Sequence, residues 1–257
     1  MTGPAELPRH LRLLWAVAEQ RRGPRPRQTI QGIGAAAVAL ADAEGLVAVS
    51  MKAVAEALGM TPMSLYRYLD SKEALHEVML DQAYGPPPEA ELPSGGAAWR
   101  VRLRAWADAL ADALVAHPWI VEVPVRTPPT TPNVLGWTDR GVASFAGTDL
   151  DGQQRLSSLL LVDGFVRQHV RLSRQLGLAP GSPAAPGRTG GDEYALRLAQ
   201  LVDPARLPHL AEASSALDDD GDFYAEELEF GLGVVLDGIA VLVDRARAAR
   251  QADDRGR

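Results

Sequence analysis

The sequence has no cysteine, only two lysines, and aromatic residues at 5% of its length. Without thiols there is no disulfide framework, no thiolate metal site and no thiol nucleophile. A reducing compartment, the cytoplasm, is the expected location. No uninterrupted apolar run reaches about 18 residues, the length needed to cross a bilayer, so no membrane partner is expected. The opening MTGPAELPRHLRLLW sets an acid and arginines inside its apolar segment and offers no small-residue cleavage site. It does not read as a signal peptide. Period-two alternation and internal repeats are both missing, which disfavours strands and solenoids. His10, His76, His117, His169 and His209 are scattered without metal-ligand spacing, and neither a metal nor a cofactor is expected. No nucleophile–base–acid arrangement stands out, so the reading is not an enzyme.

What is present is an uneven distribution of charge. The chain of 257 residues carries −7 overall, which alone argues against a nucleic-acid partner. Up to Lys72, however, there are nine basic and six acidic side chains, a net of +3, leaving −10 for the rest. A mildly basic head on an acidic body fits DNA contact by one end only. Both lysines, Lys52 and Lys72, fall in that head. Arginine elsewhere, with abundant alanine, points to GC-rich coding and a bacterial source. At 46% hydrophobic the chain can bury a substantial core.

Apolar spacing is helical nearly throughout, giving an all-α class: a three-helix head followed by a helical bundle. Leu7, Leu11, Leu14, Trp15 and Ala18 form a first amphipathic stripe, broken by the prolines of RRGPRPR, 21–27. Thr29 caps a helix with the inner stripe Ile30, Ile33, Ala37, Leu40 and Ala41. Ser50 caps a short helix closed by Gly59, and Thr61-Pro62 opens another that runs towards Leu69. A further head helix, starting at Asp70-Ser71, reaches Tyr84. Gly85 to Pro88 and Ser94 to Gly96 mark a boundary. Body helices are expected over 97–117, 134–146, 151–176 and 223–250, with a Pro/Gly/Ser-rich mobile loop over 179–191. The domain reading is therefore 1–27 for an N-terminal helix and basic arm, 28–84 for a DNA-binding head, and 97–250 for a body.

Three short capped helices joined by tight turns make a helix-turn-helix. The second crosses the phosphate backbone, and the third presents its N-terminal side chains to base edges. Thr61, Pro62, Met63, Ser64 and Arg67 lie on that outer side, and Leu65 and Leu69 point inward. Tyr66 and Tyr68 can reach phosphates with their hydroxyls, Lys72 sits at the next helix start, and Lys52 is close enough for phosphate or base. The segment ALADAEGLVAVSMKAVAEALGMTPMSLYRYLDSKEALHEVML resembles the DNA-binding head of the tetracycline-repressor (TetR) family. Leu65-Tyr66-Arg67-Tyr68 and Ser71-Lys72-Glu73-Ala74-Leu75 carry the likeness. Glu229-Phe230-Gly231-Leu232 and Leu236-Asp237-Gly238-Ile239 are similar to the last helix of the tetracycline-repressor branch. The resemblance implies an all-helical homodimer on double-stranded operator DNA, in which a small-molecule effector spreads the heads and releases the operator. It implies phosphate contact at Tyr66 and Lys72, and base contact at Pro62, Met63, Ser64 and Lys52. That branch holds a magnesium–drug chelate with histidines and an asparagine. Trp106 and Pro124 stand at such places here, so that ligand set is missing.

Arg21, Arg22, Arg25 and Arg27 form an extended arm that either enters a minor groove or is a solvated linker. Tyr224, Leu228, Gly231, Val235, Gly238 and Leu242 step by fours and threes, a heptad-like seam for a dimer partner. Burial inside one subunit is the alternative. Trp106, Leu110, Trp119, Arg126, Trp137, Phe145, Phe165 and His169 are the candidates for an apolar effector cavity, with His169 or Arg126 orienting the ligand. A GxGxxA-like string at Gly32, Gly34 and Ala37 lacks the preceding strand a dinucleotide site requires. Asp218, Asp219, Asp220 and Asp222 put Gly221 at the wrong offset for a calcium loop and fit a helix dipole better. The favoured reading is a repressor released by a small hydrophobic ligand. An effector-free or partner-controlled regulator or activator, and a helical enzyme with a borrowed head, are its rivals.

Overall fold

A computed structural model describes residues 7–16, 28–88, 95, 98–182, 197, 200–214 and 222–255. Every regular element among them is helical, as the spacing predicts. The head contains α1 (Arg9–Ala16), α2 (Ile30–Glu44), α3 (Met51–Ala57), α4 (Pro62–Leu65) and α5 (Lys72–Tyr84). The body contains α6 (Trp99–Ala116), α7 (Pro132–Ala143), α8 (Gly152–Gln175), α9 (Pro208–Ser214) and α10 (Phe223–Arg255). Two 3-10 turns, Leu46–Ala48 and Pro118–Glu122, and the short α9 have no counterpart in the sequence reading. The arginine arm, most of the 179–191 loop and Asp218 to Asp220 lie outside the described residues.

Capping sets the head's boundaries. Thr29, Ser50, Thr61 and Ser71 each accept a hydrogen bond from the amide three residues on, satisfying a donor the helix start leaves open. Gly45, Gly59 and Gly85 close the preceding turns at positive φ. Ile33, Val54, Leu65, Leu69, Leu75 and Met79 are fully buried where these helices meet. α2 and α5 pack closely because Gly34 faces α5, where a Cβ would meet Val78 Cγ1 at 3.0 Å. α4 is shorter than expected. Only four residues are α-helical, and turn bonds from Arg67 to Ser64 and from Tyr68 to Leu65 carry the chain on to Leu69.

In the body, α8 packs on α6, α7 and α10. Leu103, Leu110, Leu114, Val162, Val166, Leu232 and Ile239 form its interior. Buried Arg102 ties α6 to the end of α7, donating to the Ser144 and Ala146 carbonyls at 2.9 and 2.7 Å. Asp222 accepts from the Ala225 amide at 3.2 Å, the expected role of an acid at the start of α10.

The face that α10 buries against its own chain differs from the stripe read as a seam in the sequence, with Tyr224 common to both. Tyr224, Leu232, Leu236, Ile239 and Val243 form the face buried against the same chain. Leu228, Val235 and Leu242 are half-buried on its flank, and Gly231 abuts Phe165 of α8, where a Cβ would collide with the ring. Phe230, Val234 and Val241, with Gly238 beside them, form the exposed apolar stripe. At roughly 100° per residue, the expected seam lies about 80° from the buried face and about 100° from the exposed one. The close approach that Gly231 permits is therefore within one chain. Gly231→Ile is expected to lower unfolding stability by about 2 kcal/mol through overpacking. Gly233→Ala, which meets nothing within 4 Å, should raise it by up to about 1 kcal/mol. Paired chemical denaturation curves check both.

Candidate nucleic-acid interface and effector site

The outer surface of the helix-turn-helix is built as the motif requires. Lys52 on α3, Thr61, Pro62 and Met63 on the α4 turn, Tyr66, Arg67 and the α5 residue Lys72 are all exposed. Met63 is the extreme case, 76% exposed on a helix whose next residues, Ser64 and Leu65, turn inward. A large apolar side chain held out on a capped helix start can meet a base edge, above all a thymine methyl. Lys52 lies 3.8 Å from Glu56, a solvated pair that leaves its ammonium available. The Thr61 and Ser64 hydroxyls bond each other at 2.9 Å, so they serve the cap as well as the surface. Tyr68 differs from the others: it is half-buried, with its hydroxyl directed to the Gln28 carbonyl at 3.5 Å. That contact holds Gln28, just before α2, beside the recognition turn.

The body residues named for an effector separate into groups. Trp106 and Trp137 pair edge to face, with ring centroids 6.4 Å apart, and Trp106 donates to the Trp137 carbonyl at 2.9 Å. Leu110 is buried one turn further along α6. Phe165 and His169 stack 6.0 Å apart on α8, and His169 Nε2 donates to the Tyr224 carbonyl at 3.0 Å. Burial holds the His169 imidazole below its usual range, against the opposing pull of its bond to the Tyr224 carbonyl. Trp119 is not with them, because its indole donates to Asp42 of α2 at 2.6 Å. Arg126 is exposed on the connection before α7. Phe145 stacks on Trp99, 6.1 Å away. An open groove of ≈ 660 Å³ runs between α6 and α10, lined by Arg104, Tyr224, Ala225, Glu226, Leu228, Glu229 and Phe230. None of the residues named for the effector lines it.

The sequence reading missed the joint between head and body. Asp81 of α5 is 1% exposed and accepts from the Asn133 amide at 2.8 Å, so a head carboxylate caps the start of α7. Burial raises its pKa, and the bonds from Asn133 and Thr131 oppose that rise. One turn on, the buried Tyr84 ring meets Trp137 edge-on at 5.7 Å. Its hydroxyl accepts from Arg167 of α8 at 2.5 Å, and Arg167 is held in turn by Asp163. Trp137 Nε1 donates to the Gly85 carbonyl at 3.2 Å. A third tie joins His117 and Trp119 to Asp42. These partners are 52 to 83 residues apart in sequence, and no local pattern announces them.

A helix-turn-helix head with an exposed recognition turn, set on an acidic helical bundle, defines a DNA-binding transcriptional regulator rather than an enzyme. The family model "Bacterial regulatory proteins, tetR family" matches residues 33–79. "Tetracyclin repressor-like, C-terminal domain" matches residues 92–243. The chain belongs to the TetR family, whose members bind operator DNA, act as dimers and bind small-molecule ligands. It is 31% identical over 252 residues to the HTH-type transcriptional repressor DrrR1 of Streptomyces coeruleorubidus, covering 96% of this chain and 90% of that one. An HTH-type transcriptional regulator of Saccharopolyspora erythraea is 28% identical over 154 residues, 60% of this chain and 64% of that one. Among solved structures, apo ActR of Streptomyces coelicolor superposes with a TM-score of 0.69 at 19% identity, covering 87% of this chain and 100% of that one. ActR in complex with actinorhodin gives 0.68 at 20% identity, covering 84% and 97%. At these identities the structural likeness speaks for the fold.

Among the described residues no three acids or histidines group as a metal site, and no helix is long and apolar enough to cross a membrane. The Tyr84 joint makes a prediction of its own. Burial pushes the phenol from 10 up to about 12, so the folded state favours the neutral form. Its contribution to stability is then complete below pH 10 and lost as pH rises towards 12. Alkaline unfolding should remove about 2–3 kcal/mol across that window, and Tyr84→Phe should flatten the loss in a pH series of denaturation curves.

Proposed function

We propose that this chain is a repressor whose dimer reads operator DNA with α4 and leaves it when a small hydrophobic ligand occupies the body. The carrying observation is Met63, held out from a capped helix start and flanked by exposed Lys52, Arg67 and Lys72. Met63, Pro62, Thr61 and Ser64 meet bases in this reading. Lys52, Tyr66, Arg67 and Lys72 meet phosphate, and Tyr68 supports the turn from behind. Arg21, Arg22, Arg25 and Arg27 add minor-groove contact, a reading supported by the Tyr68 contact to Gln28, the residue that follows them. The head, 28–84, reads DNA, and the body, 97–250, dimerises and senses. The ligand enters by the α6–α10 groove and acts on the aromatic pairs at Trp106–Trp137 and Phe165–His169. What supports release is the joint, because a shift of α7 or α8 breaks bonds made directly to α5. The ActR complex with actinorhodin lends this reading a precedent of fold.

Dimerisation uses Leu156, Leu160 and Leu161 of α8 with Phe230, Val234 and Val241 of α10, all exposed in the single chain. These helices pack on each other, so two copies would build a four-helix seam. Leu228, Gly231, Val235, Gly238 and Leu242 flank it rather than fill it.

Selection of bound fragments from the source genome tests the reading. A preferred, twofold-symmetric site is expected at moderate salt, and no preference over random competitor overturns it. On the selected site, Lys72→Ala should weaken binding evenly across sequences and reduce the salt slope by about 1. Alanine at the four arm arginines should reduce it by roughly 3 to 4, and an unchanged slope would make the arm a linker. Leu160→Glu, at a position 71% exposed in the single chain, should raise the dimer dissociation constant at least ~100-fold by sedimentation, with monomer stability retained.

A further inference from the structure

α1 precedes the helix-turn-helix, and nothing in the reading so far uses it. It is seated firmly: His10, Leu11 and Leu14 are buried, and His10 Nε2 pairs with Glu77 of α5 at 2.8 Å. Its two ends hold backbone carbonyls of elements far away in sequence. At one end the Arg9 guanidinium donates to the Arg67 carbonyl at 3.0 Å, just past α4. At the other the Trp15 indole donates to the Thr130 carbonyl at 3.0 Å, in the loop that leads into α7. The last carbonyls of a helical turn lack intrahelical partners and carry partial negative charge, so a guanidinium there is both a donor and an electrostatic match. The adjacent Thr131 is buried beside Asp81, so Thr130 sits at the corner where head and body meet.

We propose that α1 is a strut and Arg9 a positioning residue: Arg9 and Trp15 tie the recognition turn to the α7 entry loop and set the angle at which Met63 meets the groove. The inference rests on the DNA-reading assignment of α4. It differs from the α5 joint in reaching the recognition turn itself. Arg9 would then act through the Arg67 carbonyl and not through phosphate, and the two roles leave different signatures. A lost phosphate contact weakens all sequences alike and reduces the salt slope by about 1, whereas a tilted recognition turn harms the selected site most.

The test measures binding of the full-length chain and its variants to the selected fragment and to random duplex across a salt series. Arg9→Ala should lower the ratio of specific to random affinity by about 3- to 10-fold, with the salt slope unchanged. Trp15→Phe keeps an aromatic ring and removes the donor, and should lower the same ratio by a smaller factor. Because one rigid helix joins the two sites, the double variant should lose less than the product of the single losses. A slope reduced by about 1 with the ratio intact makes Arg9 a phosphate ligand and overturns the proposal. Independent, multiplicative losses from the two residues, or none, also overturn it. Arg9 is exposed and Trp15 is 42% exposed, so both variants should fold, and thermal unfolding confirms this. If the wild-type chain selects no fragment, the DNA-reading assignment itself fails, an outcome distinct from these.

Discussion

The last turn of α5 carries two polar groups that burial makes expensive unless their bonds are complete. Asp81 and Tyr84 stand three residues apart on one face of the helix, which brings them to the same side. A buried carboxylate without partners costs several kcal/mol, and so does a buried guanidinium. Here completing the bonds takes groups from another element: Asp81 accepts from the first amides of α7, and Arg167 of α8 donates to the Tyr84 hydroxyl besides pairing with Asp163 of its own helix. The three helices therefore hold one another's positions. Sliding α7 or α8 by about 1 Å past α5 would stretch several of these bonds beyond hydrogen-bond range. Head orientation is thereby a property of body packing, the mechanical requirement for a ligand in the body to be felt at DNA.

The head was legible because its information is local. Thr29, Ser50, Thr61 and Ser71 each act on the amide three residues on, and glycines close the turns between them. Such signals need no knowledge of the tertiary fold, and the Leu65–Tyr68 and Ser71–Leu75 runs added the family. The short α4 was not legible. Its stripe Leu65 and Leu69 fits a longer helix, and the change to turn bonds after Leu65 has no residue-type marker. The body's helices were read from periodicity, but periodicity does not say which of two apolar faces on α10 is covered by its own chain. Spacing by fours and threes selected a face between the two. Phe165, sixty-six residues before Gly231, decides that phase.

The same limit explains the effector residues. Large apolar side chains make Trp106, Trp119 and Trp137 candidates for an apolar effector cavity in the sequence, and each of these three indoles also has a structural hydrogen bond. Trp106 bonds the Trp137 carbonyl, Trp137 the Tyr84 and Gly85 carbonyls, and Trp119 the Asp42 carboxylate. A buried indole N–H must find an acceptor, and in this chain the acceptors belong to neighbouring helices. The tryptophans are thus joints between elements.

Attachment at one point lets a rigid head swivel, whereas attachment on several separate helices fixes its orientation. This head is tied through Asp42 on α2, Asp81 and Tyr84 on α5, and Trp15 on α1. Two of those ties use an indole N–H, whose planar ring has few torsions to absorb strain. A displacement of the α6–α7 connection, which supplies His117, Trp119 and Thr130, reaches two of the four ties at once. The tie at Tyr84 depends instead on α8, the helix that would be held by the partner subunit. In the proposed dimer, relative motion between that connection and α8 would load the ties on α1 and α2 differently from the tie at Tyr84, and so would turn the head as well as shift it.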